Sequence, residues 1–203
     1  MNQSKHTERD LSYAAYSGYW ARFYDHLWPE NPTETSFFKH HVKAANGKAL
    51  EVGCGTGRIL VPLVKSGLID LHGFDASQEM LDVCKKKLQT SSTKLFTQKM
   101  QSLSLSESYS IIYAPNNIFI LLRDHDEVIQ SLKKIHKHLT NGGCFFATLP
   151  APHHYKLRTQ NEQLMKEVTG LSDFQRLRLF GSTETHFVEQ LSFDRYRIEV
   201  TNT

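Results

Sequence analysis

Ala49-Leu50-Glu51-Val52-Gly53-Cys54-Gly55-Thr56-Gly57-Arg58 runs from a short β-favouring stretch into three glycines at alternate positions. Such a run reads as a strand that turns tightly and feeds a helix from about Gly57, with the backbone free to approach a ligand closely. A nucleotide-like ligand belongs at a turn of this kind. Outward from it the chain alternates between two periods. Short β-favouring runs at 49–52, 69–74, 94–97, 110–114 and 144–149 are separated by helical stretches at 57–66, 78–89 and 124–138. Alternating strand and helix implies right-handed crossovers and a mostly parallel, doubly wound α/β sheet with helices on both faces. Sheets of this class bind ligands at the carboxyl ends of their strands, where strand order reverses.

Two helices precede the first strand. The aromatic residues from Tyr13 to Trp28 recur at spacings of three and four, which predicts an amphipathic helix that stops at Trp28-Pro29. A second helix is expected from about Thr33, capped by Thr33 or Thr35, to Ala45, with Asn46-Gly47 as its stop. After Pro150-Ala151-Pro152 the pattern changes: a helix is expected over 155–168, then alternating runs at 174–180, 184–193 and 195–201, with Gly181-Ser182 between the first two. These runs predict an antiparallel meander, with a helix over 184–191 as the competing reading. The resulting organisation is an N-terminal helical lid (1–46), a ligand-binding core (47–150) and a C-terminal antiparallel cap or truncated sheet closure (151–203).

Composition narrows the function classes. The 203 residues suffice for a full hydrophobic core, with 39% hydrophobic and 22% charged residues. The 24 basic and 21 acidic residues leave a net charge of +3, too little to argue for nucleic acid. No run approaches a membrane span, and the first ten residues lack an apolar signal core, so a cytoplasmic protein without a membrane partner is expected. Cys54, Cys84 and Cys144 are an odd, widely spaced set, which suggests neither a disulfide framework nor a zinc site. His40-His41 do not share a helix face, so no metal is expected there. Lys85-Lys86-Lys87 reads as a solvated face.

The glycine loop admits two readings. A dinucleotide fingerprint, G-x-G-x-x-G, requires glycine at position 58, where Arg58 stands; the observed G-x-G-x-G spacing is the form used with S-adenosylmethionine. Glu51 at the end of a buried strand calls for a cation or donors, and a sulfonium with an ammonium supplies both cations. Asp75, in Gly73-Phe74-Asp75-Ala76-Ser77, lies about 20 residues beyond the loop, where a carboxylate accepts ribose hydroxyls.

The run from Leu50 to Leu81, E-V-G-C-G-T-G-R followed by G-F-D-A-S-x-x-M-L, resembles the class I S-adenosylmethionine-dependent methyltransferases. The likeness extends more weakly over residues 20–150, to Asn141-Gly142-Gly143 and the strand after it. It implies a Rossmann-like fold, S-adenosylmethionine as cofactor and S-adenosylhomocysteine as product. It also implies that Glu51 and the loop Gly53, Cys54, Gly55, Thr56 and Gly57 hold the methionine moiety, that Asp75 holds the ribose, and that Ala76 and Met80 surround the adenine. Met100, Gln101 and Asn116 complete the expected cofactor set. Tyr16, Trp20 and Asn117 are the candidates for acceptor contact, and His153, His154 and Tyr24 for a catalytic base. Cys54 reads as a small filler of the loop.

Three departures accompany the resemblance. Lys99 stands where similar proteins carry an acid that accepts from the adenine amino group, which leaves Gln98, Gln101, Ser102 or backbone to read the base. Ala114-Pro115-Asn116-Asn117 replaces the N/D-P-P-Y signature of methylation at exocyclic base amines. Only about 50 residues follow the fifth strand, so the usual seven-stranded sheet is expected to be shortened. The expected activity is methyl transfer to N or O of a small-molecule acceptor by in-line displacement, by a monomer or homodimer. The alternatives are a cofactor-binding protein without turnover and, opposed by Arg58, a nicotinamide-dependent oxidoreductase.

Overall fold

The computed structural model describes residues 16, 18–89, 91–150, 160–172, 174–186 and 191–201. These fall into two compact units, one within Met1–Asp25 and Pro29–Leu149, the other within His26–Trp28 and Pro150–Thr203. Helix α1 (Tyr19–Leu27) is the described part of the aromatic segment; Tyr13 lies outside the described residues. Helix α2 (Pro32–Ala44) starts one residue before Thr33, and its cap is Asn31 rather than either threonine. The Asn31 Oδ1 accepts from the Thr33 and Glu34 N–H groups at 3.0 and 3.4 Å, and Pro32 occupies the first turn, where no donor is needed.

In the first unit, β1 (Ala49–Val52), α3 (Leu60–Lys65), β2 (Leu71–Asp75), α4 (Gln78–Leu88), β3 (Leu95–Thr97), β4 (Tyr109–Ala114), α5 (His125–Lys137) and β5 (Leu139–Ala147) follow the expected alternation. The strands form one sheet in the order β3-β2-β1-β4-β5, and every pair is parallel. Order reverses between β1 and β4, which creates the crevice at the carboxyl ends of these two strands. Strand alternation then divides the core. Leu50, Val52, Phe74 and Ile112 join Met100 and Ile135 on one face. Ala49, Ile111 and Tyr113 join Phe38, Leu60 and Leu81 on the other. Helix α4 buries Met80, Leu81 and Cys84, spaced to fall on one side, and its N-cap Ser77 Oγ accepts from the Met80 N–H at 3.3 Å.

The second unit is a three-stranded antiparallel sheet, β6 (Gln160–Thr169), β7 (Arg176–His186) and β8 (Leu191–Thr201), in that order. The meander is present, with two corrections. The helix expected within 155–168 is a strand wherever it is described, because pairing with β7 outweighs the weak β preference of Gln160-Asn161-Glu162-Gln163. Cross-strand charges hold it there: Glu167 accepts from Arg178 at 2.6 Å, and Glu162 takes Arg197 with both oxygens at 2.7 and 3.1 Å. Gly181-Ser182 is likewise not a turn but the middle of β7, where a Cβ on Gly181 would meet the Met165 sulfur at 2.2 Å. Residues 184–186 therefore continue β7 rather than start a helix, and Leu177 and Leu179 are buried on its inner face.

These strands add nothing to the first sheet, whose edge among the described residues is β5, so the sheet has five strands rather than seven. Among the described residues no helix is long and apolar enough to cross a membrane, and no three metal-ligating side chains cluster. Truncation at buried Phe74 is expected to cost about 3–5 kcal/mol in chemical denaturation, whereas Ile129→Ala on the exposed side of α5 costs below about 0.5 kcal/mol.

Candidate functional site

At the carboxyl end of β1 the chain turns on three residues in the left-handed region, Gly53 (φ 64°), Gly55 (φ 52°) and Gly57 (φ 82°). Two of these positions also lack room for a side chain. A Cβ on Gly53 would lie 2.6 Å from the Ile118 Cγ1, and one on Gly57 would lie 2.5 Å from Val61 and 2.6 Å from the Cys84 sulfur. The helix after the loop starts at Leu60, three residues later than the sequence suggests, because residues 55–59 are spent on turns.

Asp75, the last residue of β2, fixes the loop. Its Oδ2 accepts the Gly55 N–H at 2.9 Å and its Oδ1 accepts the Ser77 N–H at 2.8 Å. Burial raises the carboxyl's pKa, and the three N–H groups of Ser77, Gly55 and Ala76 oppose that rise. Around it opens a cleft at the carboxyl ends of the strands. Gly53, Gly55, Asp75, Ala76, Met80 and Met100 line it from the cofactor set expected from sequence. Asn116 and Asn117 line it from the end of β4, and Tyr16 and Tyr24 from the N-terminal segment.

Other candidates lie outside this lining. The parallel register sets Glu51 beside Tyr113, whose hydroxyl donates to it at 2.9 Å. Burial pushes the Glu51 carboxyl well above the carboxylate range, and the Tyr113 hydrogen bond counteracts only part of this. The Tyr113 phenol is thus one of the donors that a buried acid at this position calls for. Cys54 is buried in the same core; a hydrogen bond with Cys84 and burial push its thiol up, so it stays protonated, as a filler does. Thr56 turns its hydroxyl to Asp25 at 2.7 Å, Gly57 packs under α4, and Gln101 donates to Glu127 at 3.4 Å. Trp20 stands beside Tyr16, ring centroids 6.2 Å apart, without lining the cleft. His153 and His154 lie outside the described residues.

Contacts across long sequence separations hold the N-terminal segment at the loop. Lys87 is not solvated: its ammonium reaches Asp25 at 2.5 Å and the Thr56 carbonyl at 2.9 Å. Arg58 takes Glu34 with both guanidinium nitrogens at 2.6 and 3.1 Å, and it also hydrogen-bonds Tyr24. Ser77 donates to the Tyr16 carbonyl at 2.7 Å, and the Gly18 N–H donates to the Glu79 carboxylate. The Tyr24 hydroxyl, which accepts from Asn116 Nδ2 at 3.2 Å, is pushed up to about 12, chiefly by burial. At neutral pH it is a phenol, fitted to donate a proton in a hydrogen bond rather than to remove one. Asn116 and Asn117 are consecutive left-handed residues (φ 56° and 57°), and the Asn117 N–H donates to the Thr148 hydroxyl at 3.2 Å.

Residues 49–143 match the family model of a methyltransferase domain. The chain is 28% identical to the cypemycin N-terminal methyltransferase of a Streptomyces species over 103 residues, 51% of this chain and 42% of that protein. It spans about half the length of the curated relatives it matches. Among solved structures it is similar to the CcbJ methyltransferase of Streptomyces caelestis, with a TM-score of 0.72 at 24% identity over 89% of this chain and 76% of the other. It is also similar to CalS10 of Micromonospora echinaspora, an amino pentose methyltransferase solved with S-adenosylmethionine, with a TM-score of 0.65 at 14% identity over 93% and 84% of the two chains.

Gly57→Ala is expected to lower the unfolding free energy by about 2–4 kcal/mol, since left-handed strain adds to overpacking, as read in urea titrations. For Glu51, the folded carboxyl keeps its proton at pH values above 4.5, where the unfolded chain has lost it. Stability contributed by this group therefore falls as pH rises. Glu51→Gln, which keeps an acceptor for Tyr113, is expected to flatten the decline in stability between about pH 5 and 8 when denaturation is followed across that range.

Proposed function

We propose that this chain, whose residues 49–143 belong to the methyltransferase-domain family, is a class I S-adenosylmethionine-dependent methyltransferase acting on N or O of a small-molecule acceptor. The observation that carries the reading is the Asp75 carboxylate, set at the end of β2 in the lining of the cleft and holding the glycine loop by its Gly55 N–H. Three backbone N–H groups leave one of the roughly four lone-pair sites of the carboxylate, so Asp75 has acceptor capacity for a ribose hydroxyl. Gly53 and Gly55 present bare backbone beside it, and Phe74, Met80 and Met100 offer apolar walls to a purine. The donor set thus fits S-adenosylmethionine, which supplies, when bound, a methyl group on a sulfonium that serves as its leaving group.

The chain's own contribution is placement. Asp75 and the loop fix one partner, while Tyr16, Asn116 and Asn117 border the side left for the acceptor. Aligning two reactants in this way is worth up to about 7–11 kcal/mol of barrier. Tyr16 and Tyr24, with ring centroids 6.3 Å apart, both line the cleft, and aromatic side chains there favour a cation. The strained Asn116-Asn117 turn, pinned by Thr148, keeps two amide side chains at the acceptor side against a backbone cost. Similarity to an amino pentose methyltransferase supports an amine as the first acceptor to screen. We read the protein as cytoplasmic, and as a monomer or homodimer.

Calorimetric titration with S-adenosylmethionine and S-adenosylhomocysteine tests the reading. Both are expected to bind, and Asp75→Ala to weaken both by more than about tenfold, because hydrogen bonding to a charged acceptor and its hold on the glycine loop are both lost. Absence of binding to the intact protein contradicts it.

A further inference from the structure

Topology assigns the two ends of the cleft to different parts of a nucleoside. With a ribose on Asp75 at the end of β2, the base extends toward the neighbouring strand β3, whose following segment Gln98-Lys99-Met100 lines the cleft. That segment is held close, since the Gln98 N–H donates to the Asp75 carbonyl at 2.9 Å. Met100 is buried and supplies an apolar wall. The polar groups that face the edge of a base are then few. The Gln98 side chain is committed on both ends to one residue: its Oε1 accepts the Ser104 N–H at 2.9 Å and its Nε2 donates to the Ser104 carbonyl at 3.3 Å. Gln101 donates to the Arg123-bound carboxylate of Glu127 and does not line the cleft. Lys99 does line it, on a flexible four-carbon stem, and its ammonium carries donors only.

We propose that Lys99 determines how the cleft reads the nucleobase: it donates to an acceptor atom on the base edge and leaves a 6-amino group unread. A 6-aminopurine offers that donor its ring N1, and a 6-oxopurine offers its carbonyl oxygen. An ammonium with three N–H donors suits either, so the cleft takes a 6-oxopurine nucleoside about as well as a 6-aminopurine one. This inference rests on the cofactor reading above and fixes a specificity of the same site. An aspartate at this position would reverse the polarity, accepting from a 6-amino group and repelling a 6-oxygen. It would also suit the local backbone, because Lys99 is the N-cap of the short 3-10 turn Met100–Ser102 and makes no side-chain cap there.

The test is calorimetry with S-adenosylhomocysteine and S-inosylhomocysteine, which differ at the 6-amino and 6-oxo group. It is run on the intact protein, Lys99→Asp, Lys99→Met and Asp75→Ala. The intact protein is expected to bind the two ligands within about threefold of each other, and Lys99→Asp to favour the adenosyl ligand by at least about tenfold. Lys99→Met is expected to weaken both ligands alike. A preference of tenfold or more for the adenosyl ligand in the intact protein overturns the inference, as does an unchanged ratio in Lys99→Asp. In either case binding that is lost in Asp75→Ala leaves the cofactor site standing. If the intact protein binds neither ligand, the cofactor reading itself fails and this inference with it.

Discussion

The carboxylate of Asp75 accepts the Gly55 N–H with one oxygen and the Ser77 N–H with the other, at 2.9 and 2.8 Å. These two bonds join the loop after β1 to the start of α4, so the ends of β1 and β2 hold one fixed geometry. Because the group is buried, its charge depends on those donors, and the donors in turn depend on the left-handed turns of the glycine loop. The parallel register supplies the remaining constraint. It places Glu51 opposite Tyr113 on one face and Phe74, Met100 and Ile112 on the other.

The N-terminal segment is tied to this centre through polar contacts as well as through the burial of Phe38 against the sheet. Asp25 meets Thr56 and Lys87, Glu34 meets Arg58, and Ser77 holds the Tyr16 carbonyl. Arg58 occupies the position at which a dinucleotide fingerprint requires glycine, and its bonds to Glu34 and Tyr24 give that substitution a structural role. Since Arg58 and Glu34 are both partly shielded from water, the pair couples α2 to the glycine loop more firmly than a surface ion pair would. Tyr24 is consequently oriented by two donors, Asn116 and Arg58.

Much of this was legible in the sequence because it depends on local pattern. Alternation of period located all five parallel strands, and the spacing of Gly53, Gly55, Gly57 and Asp75 located the crevice. The polarity of Glu51 was legible too, but not its partner Tyr113, which the parallel register with β4 supplies. Lys87 looked like one of three solvated lysines, since nothing near it in sequence announces Asp25, 62 positions earlier. The segment before β7 was misread as a helix because its polar residues have little β preference. Its strand identity comes from partners such as Arg178 and Arg197, which single-segment patterns do not contain.

The account's central claim is that a nucleoside seats on Asp75 between the glycine loop and the Asn116-Asn117 turn. Backbone amide shifts in a 15N–1H correlation spectrum, recorded during titration with S-adenosylhomocysteine, test it most directly. Saturating shifts concentrated at Gly53, Gly55, Ala76, Ser77 and Asn116 are the result expected. Shifts absent from the glycine loop, or confined to residues away from the ends of β1, β2 and β4, would contradict it.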